Sequence, residues 1–193
     1  LGRAPKAVPA PLVVRVEDWG GACRAAEVIL IATPDAAIPV VAERLLGERC
    51  LSPRSSVLHL SGLLDRGALA ALADTGAGLG SFHPLQTVAD PETAGERFRG
   101  AFAGVEGDAG ALLAGERLAE RLGMTPVRIP AGAKAAYHAG ATIVANYTVA
   151  LMGMAVRLAR SAGVPAELAG KIYLPLLHGA AVNLDRLAPH DAL

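Results

Sequence analysis

The sequence has few aromatic residues, few cysteines and no net charge. Only 4% of its residues are Phe, Trp or Tyr although 52% are hydrophobic, so the core has to consist mainly of Ala, Val and Leu. The 18 basic and 18 acidic residues cancel, which argues against a nucleic-acid partner, since such binders carry a basic excess. Cys23 and Cys50 have no metal-ligand spacing, so we predict free thiols, no metal site and a cytoplasmic protein.

Two further features concern leaders and membranes. Residues 1–6 contain no apolar secretory run and no initiating Met, so we expect the sequence to start inside a longer protein. The segment 135–156 lacks charged side chains and reaches the roughly 20 residues that span a bilayer. Because it contains His138 and Asn146, we interpret it as a buried helix of a soluble protein that has no membrane partner.

Short apolar runs alternate with helical segments through the first 130 residues. Strands are expected at 12–16, 28–32, 57–60, 79–82, 101–106 and 125–129. The uninterrupted run 28–32 is typical of a strand buried on both faces of a parallel sheet. A turn is expected at 19–21, and helices at 22–26, 38–46, 64–72 and from the N-cap Asp108 to residue 122. This alternation predicts an α/β fold with a mainly parallel sheet.

The pattern changes near Pro130. From Gly132 to about Ser161 nothing would stop a helix, and 166–187 is helical again with an expected break at Pro175. We therefore predict an α/β domain over 1–130 and an all-α domain over 131–193. The last 30 residues or so cannot cover the long apolar helix, so we expect a homodimer formed through it.

Polar or turn-forming residues follow three of the expected strands. They are Thr33-Pro34-Asp35, Ser61-Gly62 and the run 83–87, His-Pro-Leu-Gln-Thr. In an open α/β sheet, ligands bind outside the carboxyl ends of the strands, so these turns are candidate ligand contacts. His83 either faces a ligand or caps its loop, whereas His59 lies in an apolar run and reads as a satisfied core histidine.

A second candidate group lies on the long helix. Lys134 and His138 are four residues apart on one face, and Asn146 lies two further steps of four along the chain. A Lys and a His beside the ligand edge of a sheet can orient or protonate a carbonyl oxygen. The alternative is that Lys134 is a solvated first turn and that Asn146 makes a buried helix–helix hydrogen bond.

The glycine fingerprint G-x-G-x-x-G of dinucleotide-binding folds does not occur in the sequence. The glycine-rich run 76–80 precedes a strand, which is the wrong context. If the fingerprint lies before Leu1, Arg3 falls at the end of the second strand, where it would hold a 2′-phosphate and favour NADP over NAD. An ordinary exposed Arg3 is the alternative.

Five segments together resemble one family. They are Ala32-Thr33-Pro34-Asp35, His59-Leu60-Ser61-Gly62, Phe82-His83-Pro84-Leu85-Gln86-Thr87, Val105-Glu106-Gly107-Asp108 and Lys134-Ala135-Ala136-Tyr137-His138-Ala139. In this order the segments resemble Rossmann-like proteins with a DUF2520 domain, usually described as NADP oxidoreductase-like. The resemblance implies a Rossmann domain, incomplete at its start here, and a dimerising helical domain like that of 6-phosphogluconate dehydrogenase.

The family is similar in plan to β-hydroxyacid dehydrogenases and ketopantoate reductases. Those enzymes carry on the interdomain helix a Lys that acts as the acid at the substrate oxygen, with an Asn four residues further on. Lys134 matches this Lys, but His138 stands at the position of the Asn. The resemblance implies NADPH-dependent reduction of a small 2-oxo or imino acid, possible substrates including ketopantoate. The alternative is a non-catalytic NADP-binding sensor or scaffold.

The resemblance also implies roles for individual residues. Lys134 would protonate the substrate oxygen, and His138 and Asn146 would orient it. The remaining contacts fall into two groups: Arg3, Ala32, Thr33, Pro34 and Ser61 for the cofactor, and Ser61, Gly62, His83 and Gln86 for the substrate.

Overall fold

The computed structural model describes residues 19–88 and 94–192, which contain one sheet of five strands. The strands are β1 (Val28–Ile31), β2 (Ser56–His59), β3 (Gly78–Leu85), β4 (Phe102–Gly107) and β5 (Thr125–Arg128). They follow the order β1-β2-β3-β4-β5, and every neighbouring pair except β3 and β4 is parallel. The predicted α/β fold with a mainly parallel sheet is therefore confirmed. The expected strand 12–16 and Arg3 lie outside the described residues.

Besides the short 3-10 turn Asp35–Ala37, four helices and one longer 3-10 segment accompany the strands in the described residues up to β5. They are α1 (Trp19–Arg24), α2 (Ile38–Gly47), α3 (Ala94–Phe98), α4 (Ala109–Arg121) and the 3-10 segment Arg66–Thr75. The predicted N-cap is confirmed, since the carboxylate of Asp108 accepts from Ala111 N at 3.0 Å. The helix predicted at 64–72 forms as the 3-10 segment Arg66–Thr75, which a non-helical Leu69 divides into two short pieces. The predicted turn at 19–21 is wrong, because these residues form the first turn of α1.

The core lies on both faces of the sheet. Because successive side chains of a strand point to opposite faces, Val57 and Leu58 enter different apolar clusters. Val57 packs with residues of α2 and the 3-10 segment, and Leu58 packs with residues of α4. The sheet is therefore covered by helical layers on both sides, as a doubly wound fold requires.

Strand β1 differs from the expectation of burial on both faces. It pairs with β2, and within the described residues no strand pairs with its other edge. Its residue Leu30 is 46% exposed and lines a groove together with Trp19 and Val40. The run 28–32 was read correctly as a strand, but the described residues leave one face of β1 partly exposed.

The chain divides into two compact units, Leu1–Ala139 and Gly140–Leu193. The long helix Lys134–Ser161 consists of α5 (Lys134–Thr142), a π-helical turn (Ile143–Tyr147) and α6 (Thr148–Ser161), and is followed by α7 (Ala166–Ala169) and α8 (Leu174–Leu184). The expected break at Pro175 is wrong. Pro175 lies in the first turn of α8, where its missing N–H costs no helical hydrogen bond, and the interruption falls at 170–173.

The long helix is not buried within the single chain, which contradicts the buried helix expected from the sequence. Its side chains Val144, Val149, Leu151 and Leu158 are all largely exposed. By length and hydropathy Lys134–Ser161 could cross a membrane, although such a match is weak evidence by itself. An exposed apolar surface of this size is typical of a site that contacts another protein surface or a membrane.

Candidate active site

A row of polar side chains crosses the sheet on one face. His59 on β2 is paired with Ser81 on β3, and Ser81 is paired with Glu106 on β4. Paired residues point to the same face, and all three are buried. Polar groups at this depth need hydrogen-bond partners, so the contacts of this row define the site.

Lys134, the first residue of α5, lies over this row. Its Nζ donates to the carbonyl oxygen of Ser61 at 2.8 Å and to Ser81 Oγ at 3.0 Å. Ser81 Oγ in turn donates to Glu106 Oε2 at 3.2 Å, and Arg66 N donates to the same oxygen at 3.0 Å. Since Lys134 is only 2% exposed, the alternative of a solvated first turn is wrong.

Burial controls the ionisation of both charged groups. Desolvation lowers the pKa of Lys134 to about 8, against an opposing effect of the Glu106 and Asp35 carboxylates. Desolvation also raises the pKa of Glu106 above its ordinary value, while hydrogen bonds from Ser81 and Arg66 oppose the rise. The ammonium of Lys134 is therefore charged at neutral pH, but it gives up its proton more readily than an exposed lysine.

Two imidazoles meet above Gly62. The rings of His83 and His138 are 5.7 Å apart in an edge-to-face arrangement. A Cβ added at Gly62 would collide with His138 Nδ1 and would lie 2.8 Å from His83 Nε2. Only glycine at position 62 allows the β2 turn to come this close to both rings. His138 Nδ1 is buried and has no hydrogen-bond partner among the described residues.

Tyr137 fixes the orientation of His83. Its Oη lies 3.0 Å from His83 Nδ1, and its ring stands edge-to-face to the imidazole at 5.6 Å. Gly104 is paired with His83 on β4, and a Cβ there would collide with the Tyr137 hydroxyl. Burial raises the pKa of Tyr137 to about 12. Burial, together with the charges of Lys134 and His138, lowers the pKa of His83 to about 4, so His83 is neutral at pH 7.

The turns after β1 and β2 are joined by one hydroxyl. Ser61 Oγ donates to Asp35 Oδ2 at 2.9 Å and accepts from the backbone N–H groups of Leu63 and Leu64. These bonds hold the two loops together and occupy the hydroxyl that we predicted for a ligand. Thr33 Oγ1 is buried without a partner among the described residues, which makes it a candidate ligand contact at the end of β1.

Three other residues singled out in the sequence have surroundings of their own. Gln86 is exposed, and its amide bonds to Arg97 O and Thr87 N. Asn146 is exposed within the π-helical turn of the second unit, so the buried hydrogen bond considered for it is wrong. His59 is buried as expected; its Nε2 bonds to the carbonyl of Asp65, and its Nδ1 has no partner among the described residues.

The sequence interpretation missed three contributors, Ser81, Glu106 and Tyr137, whereas Asp35 was among the turn residues expected to contact a ligand. A signal existed for two of them, since Ser81 and Glu106 are polar residues inside apolar runs read as strands. Tyr137 was part of the motif that carried the resemblance, yet no role was assigned to it. Across 19–88 and 94–192, no three His, Cys, Asp or Glu residues are grouped as metal ligands would be.

A doubly wound sheet, with a polar site at the carboxyl ends of its parallel strands and a helical segment after it, defines a Rossmann-like protein. The family model described as "Domain of unknown function (DUF2520)" matches residues 101–193, which confirms the resemblance over that part of the chain. No curated protein is significantly similar to the sequence.

Solved structures share the fold. Protein TM1727 of Thermotoga maritima is 28% identical, with a TM-score of 0.68 over 85% of this chain and 61% of its own. The pyrroline carboxylate reductase of Plasmodium falciparum, which has NADP bound, is 11% identical, with a TM-score of 0.67 over 87% and 61%. The pyrroline-5-carboxylate reductase of Coxiella burnetii is 15% identical, with a TM-score of 0.66 over 91% and 64%.

The chain therefore spans about three fifths of the length of these structures. At identities of 11% and 15%, the two reductases establish the shared fold and leave the chemistry to be argued from the site.

Proposed function

We propose that the protein is an NADPH-dependent oxidoreductase that reduces a small 2-oxo or imino acid. The observation that carries this proposal is the grouping of Lys134, His83 and His138 around the Ser61-Gly62 turn. The grouping lies at the carboxyl ends of parallel strands, where ligands bind in open α/β sheets. An ammonium beside two imidazoles suits a substrate that carries a carboxylate and a polar double bond.

The cofactor is proposed on the position of β1. Three successive parallel strands, β1, β2 and β3, match strands 4, 5 and 6 of the usual Rossmann order 3-2-1-4-5-6. The unpaired edge of β1 would then adjoin the strand that precedes the glycine fingerprint. Ala32, Thr33 and Pro34 would line the nicotinamide, and the unpartnered Thr33 Oγ1 fits a polar ligand there. NADPH, when bound, supplies the hydride.

The protein's own groups would handle the proton. Among the described residues Lys134 donates two hydrogen bonds, and in this proposal its third N–H would donate to the substrate oxygen or nitrogen. A pKa of about 8 lies close to neutral pH, which suits a general acid. His83, neutral at pH 7, would orient the substrate by a hydrogen bond, and His138 would close the pocket. Asn146 stays a prediction as an orienting residue.

The alternative is a non-catalytic NADP-binding sensor or scaffold. The observation that favours it is the burial of Lys134, which is 2% exposed, with two of its hydrogen bonds made within the protein. In this alternative the ammonium only braces the Ser61-Gly62 turn. It predicts nucleotide binding without turnover of any oxo acid.

The first experiment is calorimetric titration of the full-length gene product with NADPH and, separately, with NADH. Tight NADPH binding and weak NADH binding support the proposal and justify rate measurements on oxo and imino acids, beginning with ketopantoate. Absence of binding of either nucleotide removes it. Turnover is then compared in Lys134→Ala and in the exposed control Lys171→Ala. A Lys134→Ala rate within about threefold of wild type excludes Lys134 as the proton donor.

We also propose that the protein is cytoplasmic and that a second copy of the chain covers its long helix. The first turns of α5 are held against the sheet by Lys134 and Tyr137, so 140–156 is the uncharged part left exposed. At 1.5 Å per residue this part measures roughly 25 Å, less than the hydrocarbon core of a bilayer. A helix of a second subunit fits that length better than a membrane does.

A further inference from the structure

Two opposite charges are buried together in this protein. Within 19–88 and 94–192, Lys134 is the one buried ammonium, and Glu106, 3% exposed, is the one buried carboxylate. The two charged groups do not form a direct ion pair. The Ser81 hydroxyl lies between them, accepting from Lys134 Nζ and donating to Glu106 Oε2.

The sheet itself sets this arrangement. Strand β4 runs antiparallel to β3 in the register that places Glu106 opposite Ser81. Arg66 N adds a second hydrogen bond to the same carboxylate oxygen, which fixes the Glu106 side chain. Burial of either charge alone would be strongly unfavourable, so each group makes the burial of the other tolerable.

We propose that Glu106 is a positioning residue of the site. Through Ser81 Oγ, its carboxylate keeps the ammonium of Lys134 charged and directed at the Ser61 carbonyl. The catalytic meaning of this role rests on the proposed function, but its electrostatic part does not.

Other charges around Lys134 act more weakly. Asp35 follows β1 and Asp65 follows β2; both are exposed, so water screens them. His59 on β2 and His83 on β3 are the other titratable groups facing Lys134 from the sheet, and burial lowers the pKa of both imidazoles. Tyr137 and His138 lie on the same helix as Lys134. Glu106 is the strongest of the groups that oppose the fall in the Lys134 pKa.

The test measures the ionisation of Lys134 directly. The sequence contains three lysines, Lys6, Lys134 and Lys171, so the side-chain carbon signals of 13C-lysine-labelled protein can be assigned with a Lys134→Arg variant. Wild-type Lys134 is expected to titrate near pH 8. In Glu106→Gln the midpoint is expected to fall by about one pH unit or more, because an opposing charge within ~4–6 Å shifts a pKa by that amount.

The matched control is Glu120→Gln, an exposed carboxylate on α4, which is expected to leave the midpoint unchanged. An unchanged Lys134 midpoint in folded Glu106→Gln protein overturns the proposal. If Glu106→Gln does not fold, Ser81→Ala removes the hydroxyl that links Lys134 to Glu106 and leaves the carboxylate in place. The Lys134 midpoint is expected to fall in this variant as well, and an unchanged midpoint counts against the proposal.

Activity separates this inference from the proposed function. Reduction that needs protonated Lys134 slows as the pH rises through its pKa, so Glu106→Gln should move the fall in kcat to lower pH with little change in KM. A shift in the lysine signal without a shift in the rate profile overturns Lys134 as the acid and supports the positioning role. An unshifted lysine signal overturns the positioning role, whatever the rate does.

Discussion

His83 Nδ1 lies 3.0 Å from Tyr137 Oη, which ties strand β3 to the first turns of the long helix. The aromatic ring fits there because Gly104, paired with His83 on β4, has no side chain. The orientation of an imidazole in the site therefore depends on a tyrosine and a glycine that are not themselves proposed to contact a ligand.

Removal of the Tyr137 hydroxyl tests this tie. We expect Tyr137→Phe to lower the free energy of unfolding by about 1 kcal/mol, since it removes the hydrogen bond between the hydroxyl and His83 Nδ1 and the longer one, of 3.4 Å, to the His83 carbonyl oxygen. Urea denaturation at pH 7 measures the difference. Tyr147→Phe, on an exposed tyrosine of the π-helical turn, is the matched control and should change little. Equal effects of the two variants would show that the tie contributes nothing.

Gly62 tests how closely the β2 turn and the imidazoles pack. Gly62→Ala should destabilise the protein by about 1–3 kcal/mol, because its Cβ would overlap His138 and crowd His83. The ring proton signals of both histidines should shift in the NMR spectrum. The control is Gly47→Ala, at the end of α2, where an added Cβ meets nothing within 4 Å. Unmoved histidine signals in Gly62→Ala would contradict the packing described.

The sequence pattern located the secondary structure well because it is a local signal. Apolar runs placed β1 and β2 within a residue of their observed ends. Strand β3 continues to Leu85, three residues beyond the expected end, because His83, Pro84 and Leu85 pair with β4. Such pairing depends on a strand distant in sequence, and no periodicity shows it.

The site residues that a local pattern marks were predicted, and those that depend on strand pairing were not. His83, His138 and Lys134 were found from strand ends and helical spacing. Glu106 was missed because its opposition to Ser81 is a matter of register between strands. The exposed position of Asn146 was missed because the π-helical turn breaks the i+4 row that begins at Lys134.

Removal of the buried ammonium should be costly unless the carboxylate is removed as well. Lys134→Met leaves the buried Glu106 carboxylate without its opposite charge and takes from the Ser61 carbonyl its Lys134 donor, so we expect a loss of about 3–5 kcal/mol by chemical denaturation. Lys134→Met with Glu106→Gln should be less destabilised than the sum of the single variants by more than 1 kcal/mol.

The exposed pair Glu167 and Lys171, four residues apart around α7, provides the control cycle. Glu167→Gln and Lys171→Met should be additive to within about 0.5 kcal/mol. Additivity in the buried cycle as well would mean that Lys134 and Glu106 are not coupled.

The ionisation of His83 predicts a pH dependence of stability. Its pKa is about 4 in the folded protein and near 6.5 when unfolded, so the unfolded chain binds the proton more readily. The stability from neutral His83 is fully present above pH 6.5 and is lost as the pH falls towards 4. His83→Gln cannot titrate, so its free energy of unfolding should fall less steeply over this range. Parallel curves for the two proteins would refute the low pKa.

The long helix predicts a concentration-dependent dimer. Light scattering of the intact protein at micromolar concentration should give twice the monomer mass, and Val149→Glu should weaken the dimer at least tenfold. The reason is that Val149, 73% exposed in the single chain, would place a charge in an apolar contact. Leu113→Glu, on an exposed position of α4, controls for the added charge. A monomeric mass for the wild-type protein would contradict the dimer, and the exposed α6 would then need a different partner.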